Sequence, residues 1–188
     1  MESIDYFYKD LKDQPGGILI VDTINDMNII VLGKSNVPKR MKEYESFGGK
    51  VEKVDISSLH TAVREFIEEF FNIRINIESV NMIAYNIREK GLILKQYEFF
   101  GMAYLINLNG LNEIFQILCE LDSSFNKYNI NNKFDLENYI NERVITDSPN
   151  KGLNEIKSLH IINLEDIKEK KIKLRWYTNK IISKMLKL

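Results

Sequence analysis

The chain has 188 residues, of which 44% are hydrophobic and 28% are charged, and its formal net charge is −1. These values are ordinary for a soluble globular protein of one domain with a substantial core. The single cysteine, Cys119, excludes an internal disulfide and indicates a reducing compartment.

The charges are distributed unevenly along the chain. From residue 168 onward, eight basic residues accompany one acidic residue, so the segment 168–188 carries +7 and residues 1–167 carry −8. A basic end on an acidic body favours phosphate-bearing partners, although a solvated amphipathic helix explains the pattern equally well. There is no amino-terminal signal pattern and no apolar run long enough to span a bilayer. We therefore expect a soluble, cytoplasmic protein without a membrane partner, and nothing in the sequence indicates an oligomer.

In chain order, the pattern predicts strands, a helix, more strands, two helices, a strand and a closing helix. The predicted strands are 16–22 and 27–33 as a hairpin, then 71–77, 81–87, a long strand over 92–108 with Gly101 as a bulge or bend, and 155–167 ending in a cap. The loops are a charged loop at 34–46, a polar loop at 126–133 and a turn at 146–152. The later helices are 111–124, 134–144 and 175–188.

This order predicts a single mixed α/β sandwich over residues 1–188. The polar stretch with its two helices reads as a helical insertion at about 109–150. The closing helix lies in the basic segment 168–188.

The stretch SSLHTAVREFIEEFF predicts a helix with one apolar and one acidic side. At about 100° per residue, the apolar residues from Leu59 to Phe70 share one stripe, and Glu65, Glu68 and Glu69 lie within about 100° of each other on the other side. Ser57 or Ser58 is expected to cap the helix. Glutamates at such spacing repel one another, and clustered carboxylates are what a hard divalent cation needs. The acidic stripe therefore indicates a metal site whose ion holds phosphate.

Residues 49–72 resemble the Nudix box, whose pattern is G-x5-E-x7-R-E-U-x-E-E-x-G-U, where U is a bulky aliphatic residue. Gly49 stands at the first glycine, after a glycine-glycine entry in FGGKVE, and Asp55 stands at the first acidic position. The R-E-U-x-E-E core is matched by Arg64, Glu65, Phe66, Glu68 and Glu69. The order of elements resembles the family outside about 109–150, and it implies a Nudix-like mixed-sheet α/β/α sandwich.

Three features depart from the family pattern. Eight residues rather than seven separate Asp55 from Arg64, and Asp55 itself is one methylene shorter than the usual glutamate. Phe71 and Asn72 replace the closing glycine and its neighbour, so the helix is expected to end without its customary left-handed residue. These changes affect the loop geometry and leave the glutamates in place.

The resemblance implies a hydrolase that cleaves a pyrophosphate bond with Mg²⁺ or Mn²⁺. The implied metal ligands are Glu65, Glu68, Glu69 and the carbonyl group of Gly49, and Arg64 is expected to orient the glutamates. One of the helix glutamates or Glu155, on a later loop, is the expected general base. Substrate binding is expected from Lys34, Arg40, Lys50 and His60. Trp176, Tyr177, Phe99 and Phe100 could stack on a base, although packing in the core is the more common role of such residues.

The box specifies the reaction but leaves the substrate open. The predicted insertion and the basic end favour a long polyanion, so capped mRNA is the first expectation, with decapping that releases a methylated guanosine diphosphate, as in some viral-type members. Diphosphoinositol polyphosphates and free nucleoside di- or triphosphate derivatives are the alternatives. A Nudix fold that only binds a ligand, without turnover, is the alternative of another class.

Overall fold

A computed structural model describes residues 13–98, 100–143, 145, 147–150 and 152–187. Its strands are β1 Gly16–Ile24, β2 Met27–Ser35, β3 Tyr44–Glu45, β4 Phe47–Gly49, β5 Ile93–Glu98, β6 Met102–Ile106, β7 Asn129–Ile130, β8 Lys133–Phe134 and β9 Ile156–Asn163. Its α-helices are α1 Ser58–Phe66, α2 Ile77–Glu89, α3 Leu108–Leu121, α4 Leu136–Glu142, α5 Leu164–Lys168 and α6 Trp176–Leu186. Two 3-10 helices, Pro38–Arg40 and Ser123–Tyr128, and a π-helical turn, Ile67–Phe71, complete these elements.

The centre of the fold is a mixed sheet of seven strands. Its main order is β3-β2-β1-β6-β5, with β4 paired to β1 and β9 paired to β2. β1 and β6 run parallel, and the other pairs in this sheet are antiparallel. β1 and β2 form the predicted hairpin, with Ile20 opposite Val31. The pair β7–β8 forms a separate small hairpin.

Helices cover both faces of the sheet, because successive side chains of a strand point to opposite faces. Ile18 and Ile20 of β1 enter the larger core with helices α1 to α4, whereas Leu19 enters the smaller core with α5 and α6. The fold is therefore an α/β/α sandwich with a mixed sheet, which confirms the fold class predicted from the sequence. No helix in the described ranges is both long enough and apolar enough to cross a membrane.

The prediction of two strands after the acidic helix is wrong. Residues 72–76 form no regular element, and Ile77–Glu89 is helix α2, capped by the Asn76 side chain, which accepts a hydrogen bond from the N–H of Ser79 at 2.8 Å. Val80, Ile83 and Ile87 of this helix are buried. Their spacing of three and four residues is helical, and it prevails over the strand preference of β-branched residues because this face packs on the core.

The long strand predicted over 92–108 is two strands. β5 and β6 run antiparallel and reverse direction around Phe100 and Gly101, which have φ values of 43° and 154°. The N–H of Met102 donates to the carbonyl oxygen of Pro15 at 2.9 Å, and a Cβ atom at position 101 would overlap that same carbonyl group. Gly101 therefore lies at a chain reversal rather than at a bend within one strand.

The two helices predicted between residues 111 and 144 are present as α3 and α4, with different ends. Leu111, Ile114, Phe115 and Leu118 of α3 are buried in the larger core. The predicted polar loop at 126–133 contains part of a 3-10 helix and the turn of the β7–β8 hairpin. The interpretation of 109–150 as an insertion stays a prediction, and the predicted turn at 146–152 lies partly outside the described residues.

Candidate active site

Helix α1 and the π-turn after it carry the three glutamates of the acidic stripe. Ser57 begins the helix as predicted, with its side-chain oxygen accepting a hydrogen bond from the N–H of His60 at 3.3 Å. Glu65 lies near the end of α1, and Glu68 and Glu69 lie in the π-turn Ile67–Phe71. A widened turn of this kind occurs frequently at functional sites.

The glycine pair of strand β4 lets the glutamates lie directly against the backbone. The N–H of Gly48 donates to Oε2 of Glu69 at 2.7 Å. A Cβ atom at position 49 would overlap the carboxyl group of Glu65. The close approach of Glu65 therefore requires glycine at position 49, and the Gly49 backbone lies beside the carboxylates as the resemblance implies.

Arg64 is held on one side by Asp55 and faces the glutamates with the other. Its Nε donates to Oδ1 of Asp55 at 3.0 Å, and its Nη2 donates to Oδ2 of Asp55 at 2.8 Å. Its Nη1 donates to Oε1 of Glu65 at 3.0 Å and lies 3.7 Å from Oε2 of Glu68. The bidentate pair fixes the guanidinium group, which in turn orients Glu65. The shorter aspartate and the extra loop residue are therefore compatible with a closed pair.

The pKa of Asp55 reflects the hydrogen bonds that its carboxylate accepts, above all from Arg64. Burial raises the pKa of the carboxyl group, but hydrogen bonds from Arg64 and from the N–H of Glu52 outweigh burial and bring the pKa below its ordinary value of 3.8. The Thr61 hydroxyl also donates to Oδ2, at 3.1 Å. The carboxylate is thus fully charged at neutral pH and compensates the buried guanidinium.

The glutamates are destabilised as anions in the absence of a cation. Burial raises the pKa of Glu65 to about 7. The Arg64 charge and hydrogen bond act to lower this pKa, and the charges of Glu68 and Glu155 act to raise it. Glu69 is only 5% exposed, and burial together with the charges of Glu65 and Glu45 raises its pKa well above the ordinary value, against the Gly48 hydrogen bond. Burial also raises the pKa of Glu68, although Arg64 and Arg74 oppose it.

The chemistry of these donors fits a hard divalent cation. Buried carboxylates that repel one another gain most from an ion such as Mg²⁺, which prefers oxygen ligands. Within the described residues, however, no group of three or more His, Cys, Asp or Glu side chains is arranged so that it could hold a metal ion. Glu65 is bound to Arg64 and Glu69 to Gly48, each through one carboxylate oxygen.

Glu155 is brought to the same place by a network of asparagines. Its carbonyl oxygen accepts a hydrogen bond from the N–H of Asn36 at 2.7 Å, and its charge acts on Glu65 and Glu69. The preceding Asn154 has a left-handed backbone with φ of 58°, and its N–H donates to Oδ1 of Asn72 at 2.7 Å. The late glutamate thus joins the helix glutamates, 86 positions or more along the chain.

The expectation that the helix ends without a left-handed residue is wrong. Asn72 has φ of 56° and ψ of 37°, so it takes the left-handed conformation directly after the π-turn. Asparagine tolerates this conformation better than most residues other than glycine. Unlike glycine, it also offers a side chain, which bonds Asn154 in both directions, since its Nδ2 donates to Oδ1 of Asn154 at 3.0 Å.

The four predicted substrate-binding residues have different contact partners. Lys50 gives its carbonyl oxygen to Nη2 of Arg64 at 3.0 Å. Arg40 lies 3.5 Å from Oε2 of Glu45, whose charge acts on Glu69. Lys34 lies over the Tyr44 ring, 5.8 Å from its centroid. The ring of His60 bonds the Ser57 hydroxyl at 3.2 Å, about 140° around the helix from Glu65. Roles for all four in substrate binding stay predictions.

Helix α4 and the residue that follows it contribute two side chains to the site, Tyr139 and Arg143, which the sequence analysis missed. Nη2 of Arg143 donates to the carbonyl oxygen of Glu69 at 2.7 Å, and its Nη1 donates to that of Ile156 at 2.9 Å. The Tyr139 hydroxyl donates to the carbonyl oxygen of Phe70 at 3.0 Å. The carbonyl groups at the end of a helix lack partners within it, and these two side chains supply them. Arg143 also ties the π-turn to the first residue of β9.

Burial destabilises the charged form of Arg143. It lowers the pKa of Arg143 despite opposing contributions from Tyr139 and Glu69, and within the described residues its Nε has no hydrogen-bond partner. No local sequence signal distinguishes this arginine from a surface residue of a short helix. Only the packing of α4 against the π-turn reveals it.

Comparisons with known proteins give distant structural similarity. No protein-family model and no curated protein matches the chain. An Ap4A hydrolase from C. elegans, solved as a binary complex, is 15% identical over 92% of this chain and 93% of its own, with a TM-score of 0.44. A MutT/nudix family protein from Enterococcus faecalis is 13% identical over 87% of this chain, with a TM-score of 0.37. This chain spans about half of the latter protein's length, at 47%.

Replacing Asp55 with Asn should leave the buried Arg64 without its counter-charge. We expect a loss of about 3–5 kcal/mol in the free energy of unfolding at neutral pH, measured by urea denaturation. The pKa of Asp55 is lower in the folded state than its ordinary value of 3.8, so the carboxylate stabilises the fold at pH values above 3.8. This stabilisation is lost as the pH falls through the folded-state pKa. The difference between wild type and D55N should therefore shrink below about pH 4.

The control for this variant is Glu52→Gln. The Glu52 carboxylate lies 4.0 Å from Arg64 but is 66% exposed, so its removal should cost less than about 1 kcal/mol. A D55N loss that stays constant down to the acid limit of the fold would contradict the account of the pair.

Replacing Arg143 with Met should leave the carbonyl groups of Glu69 and Ile156 without their donor. We expect a loss of about 3 kcal/mol in the free energy of unfolding, since each buried acceptor loses a charged hydrogen bond. Lys127→Met is the matched control, because Lys127 is an exposed cation that pairs with Glu142 of helix α4 at 2.9 Å. Equal losses in the two variants would show that Arg143 does not hold the π-turn.

Proposed function

We propose that this chain is a Nudix-type hydrolase that cleaves a pyrophosphate bond with the help of Mg²⁺ or Mn²⁺. The observation that carries the proposal is the meeting of four carboxylates, Glu65, Glu68, Glu69 and Glu155, beside a glycine pair and a clamped arginine. Clustered acids that repel one another are costly, and Arg64 compensates Glu65 and Glu68 only in part.

The ion would be held by Glu65, Glu68, Glu69 and the carbonyl group of Gly49. When bound, it supplies a Lewis acid that neutralises charge on the phosphate oxygens and lowers the pKa of water. Arg64 keeps Glu65 pointed at the site, and the N–H of Gly48 does the same for Glu69. These contacts restrict the Glu65 and Glu69 side chains to one orientation each before substrate arrives.

In the proposed reaction, a water oxygen attacks one phosphorus and the bond from that phosphorus to the bridging oxygen breaks. The water proton passes to a carboxylate, and the two phosphate groups leave on separate products. One of the helix glutamates is the first candidate for the base. Glu155 is the alternative base, since it lies near enough to act electrostatically on Glu65 and Glu69.

The identity of the substrate is a separate part of the proposal. The sequence favoured capped mRNA because of the basic segment 168–188, but several of its cations already have acidic partners. Lys168, Lys171, Lys173 and Arg175 pair with Glu165, Asp166 or Glu169, Glu43 and Glu45 respectively. This segment therefore offers less positive charge to a polyanion than its composition suggests. Capped RNA is kept as one substrate of the test, beside free nucleotides and diphosphoinositol polyphosphates.

Glu69→Gln tests the proposed chemistry most selectively. The amide keeps the shape of the side chain and still accepts the Gly48 hydrogen bond, but it removes the charge that an ion requires. We expect Mg²⁺-dependent phosphate-anhydride cleavage in wild type and a loss of at least about a hundredfold in E69Q. The assay uses cap-labelled RNA, nucleoside di- and triphosphates, dinucleoside polyphosphates and diphosphoinositol polyphosphates.

The control for E69Q is Glu120→Gln on helix α3, a glutamate outside the carboxylate cluster. It should retain wild-type turnover. Binding without turnover across the whole panel, unchanged in E69Q, would replace the enzyme by a binding module of the same fold. Turnover that survives E69Q would contradict the assignment of the glutamates.

A further inference from the structure

We infer that Asn36, which follows the last residue of strand β2, is a positioning residue that holds Glu155 toward the three helix glutamates. This inference rests on the proposed function, in which Glu155 is one of the candidate bases. Asn36 lies outside the part of the chain that resembles the Nudix box, residues 49–72. It acts on the backbone around Glu155, so its role is positioning rather than catalysis.

Three successive carbonyl groups around Glu155 have hydrogen-bond donors, and Asn36 supplies two of them. Nδ2 of Asn36 donates to the carbonyl oxygen of Asn154 at 2.9 Å, and its backbone N–H donates to that of Glu155 at 2.7 Å. Nη1 of Arg143 donates to the next carbonyl oxygen, that of Ile156, at 2.9 Å. Because the peptide groups on both sides of Glu155 are fixed, the directions that its side chain can take are restricted.

The strand that follows Glu155 begins with a bulge and a buried anchor. Ser35 of β2 faces Ile156, whereas the residue before it faces Ser158, so β9 carries one extra residue between them. Bulges of this kind re-aim side chains and occur frequently beside active sites. Ile156 is fully buried and packs on Gly33, where a Cβ atom would overlap its side chain. Glu155 is thus held from its carboxyl side by the core.

The residues before Glu155 lie against the glutamates. Gly152 has φ of 74°, and a Cβ atom there would overlap the carboxylate of Glu68. Asn154 bonds in both directions to Asn72, the residue that ends the π-turn. The charge of Glu155 also acts on the other two helix glutamates. The segment 152–155 is therefore held both by the end of β2 and by the π-turn.

The side-chain amide of Asn36 suits this role because its nitrogen carries two N–H donors. One contact is the carbonyl oxygen of Asn154, and the other is that of Asp147, at 2.8 Å. Aspartate has the same shape but places an oxygen against both carbonyl groups, and alanine removes the amide. Both replacements keep the backbone N–H that donates to Glu155, so they remove the side-chain contacts selectively.

A double-mutant cycle between Asn36→Ala and Glu155→Gln tests the inference. Turnover is measured with Mg²⁺ on whichever of the nucleotides, capped RNA or diphosphoinositol polyphosphates wild type cleaves. We expect kcat to fall about tenfold in N36A, with KM within about twofold of wild type. E155Q should lose about a hundredfold in kcat. The double variant should lose no more than E155Q alone, because Asn36 acts through Glu155.

A second measurement is independent of turnover. Amide hydrogen exchange of residues 152–156 in the metal-free chain should be at least about fivefold faster in N36A, the size of one lost hydrogen bond. Asn36→Asp should behave like N36A in both measurements. The matched control is Asn86→Ala, because Nδ2 of Asn86 donates to the carbonyl oxygen of Met82 at 2.9 Å on helix α2. N86A should keep wild-type turnover and wild-type exchange of residues 152–156.

Four outcomes would overturn the inference. These are a kcat of N36A equal to that of wild type, unchanged exchange in N36A, a double variant whose loss is the product of the two single losses, and an N86A loss as large as that of N36A. If E155Q and N36A keep full turnover while E69Q loses it, the role of Asn36 is refuted and the proposed function is supported. If wild type cleaves no member of the panel, the proposed function and the positioning role are refuted together.

Discussion

Mutual repulsion among the clustered carboxylates is the interaction on which the rest of this structure depends. Glu65, Glu69 and Glu155 act on one another electrostatically, and burial raises the pKa of both Glu65 and Glu69. Such an arrangement opposes folding unless other contacts hold it in place. Arg64 supplies part of the compensation, and its own position depends on the bidentate pair with Asp55. A divalent cation would supply the remainder, so the stability and the proposed chemistry of the site are linked.

The fold fixes this cluster from several directions that are far apart in sequence. The hydrogen-bonded pair Asn72–Asn154 positions the loop before Glu155. The N–H of Gly48 in strand β4 donates to the Glu69 carboxylate, and Arg143 donates to the Glu69 carbonyl oxygen. The last contact comes from the segment predicted as an insertion. That segment therefore holds the π-turn in place through Arg143, and it also contributes the buried residues of α3 to the larger core. A role in stabilising the site is independent of any role in choosing the substrate.

The sequence predicted that Glu65, Glu68 and Glu69 lie on one side, because one helix carries them at i, i+3 and i+4. It predicted the β1–β2 hairpin for the same reason, since a polar turn separates two β-branched runs. It failed at α2, where β-branched residues at helical spacing look like strands until their burial is known. It could not find Arg143, because its contact with Glu69 joins residues more than 70 positions apart and depends on how elements pack.

The measurement that tests the central claim most directly is the thermal stability of wild type and E69Q with and without Mg²⁺. Since an ion that binds only the folded state raises the free energy of unfolding, the melting temperature of wild type should rise with Mg²⁺ concentration. E69Q, which lacks one of the repelling charges, should be at least as stable as wild type without the ion and should gain little from it. An equal rise in both proteins, or no rise in wild type, would contradict the claim that these glutamates are a cation site.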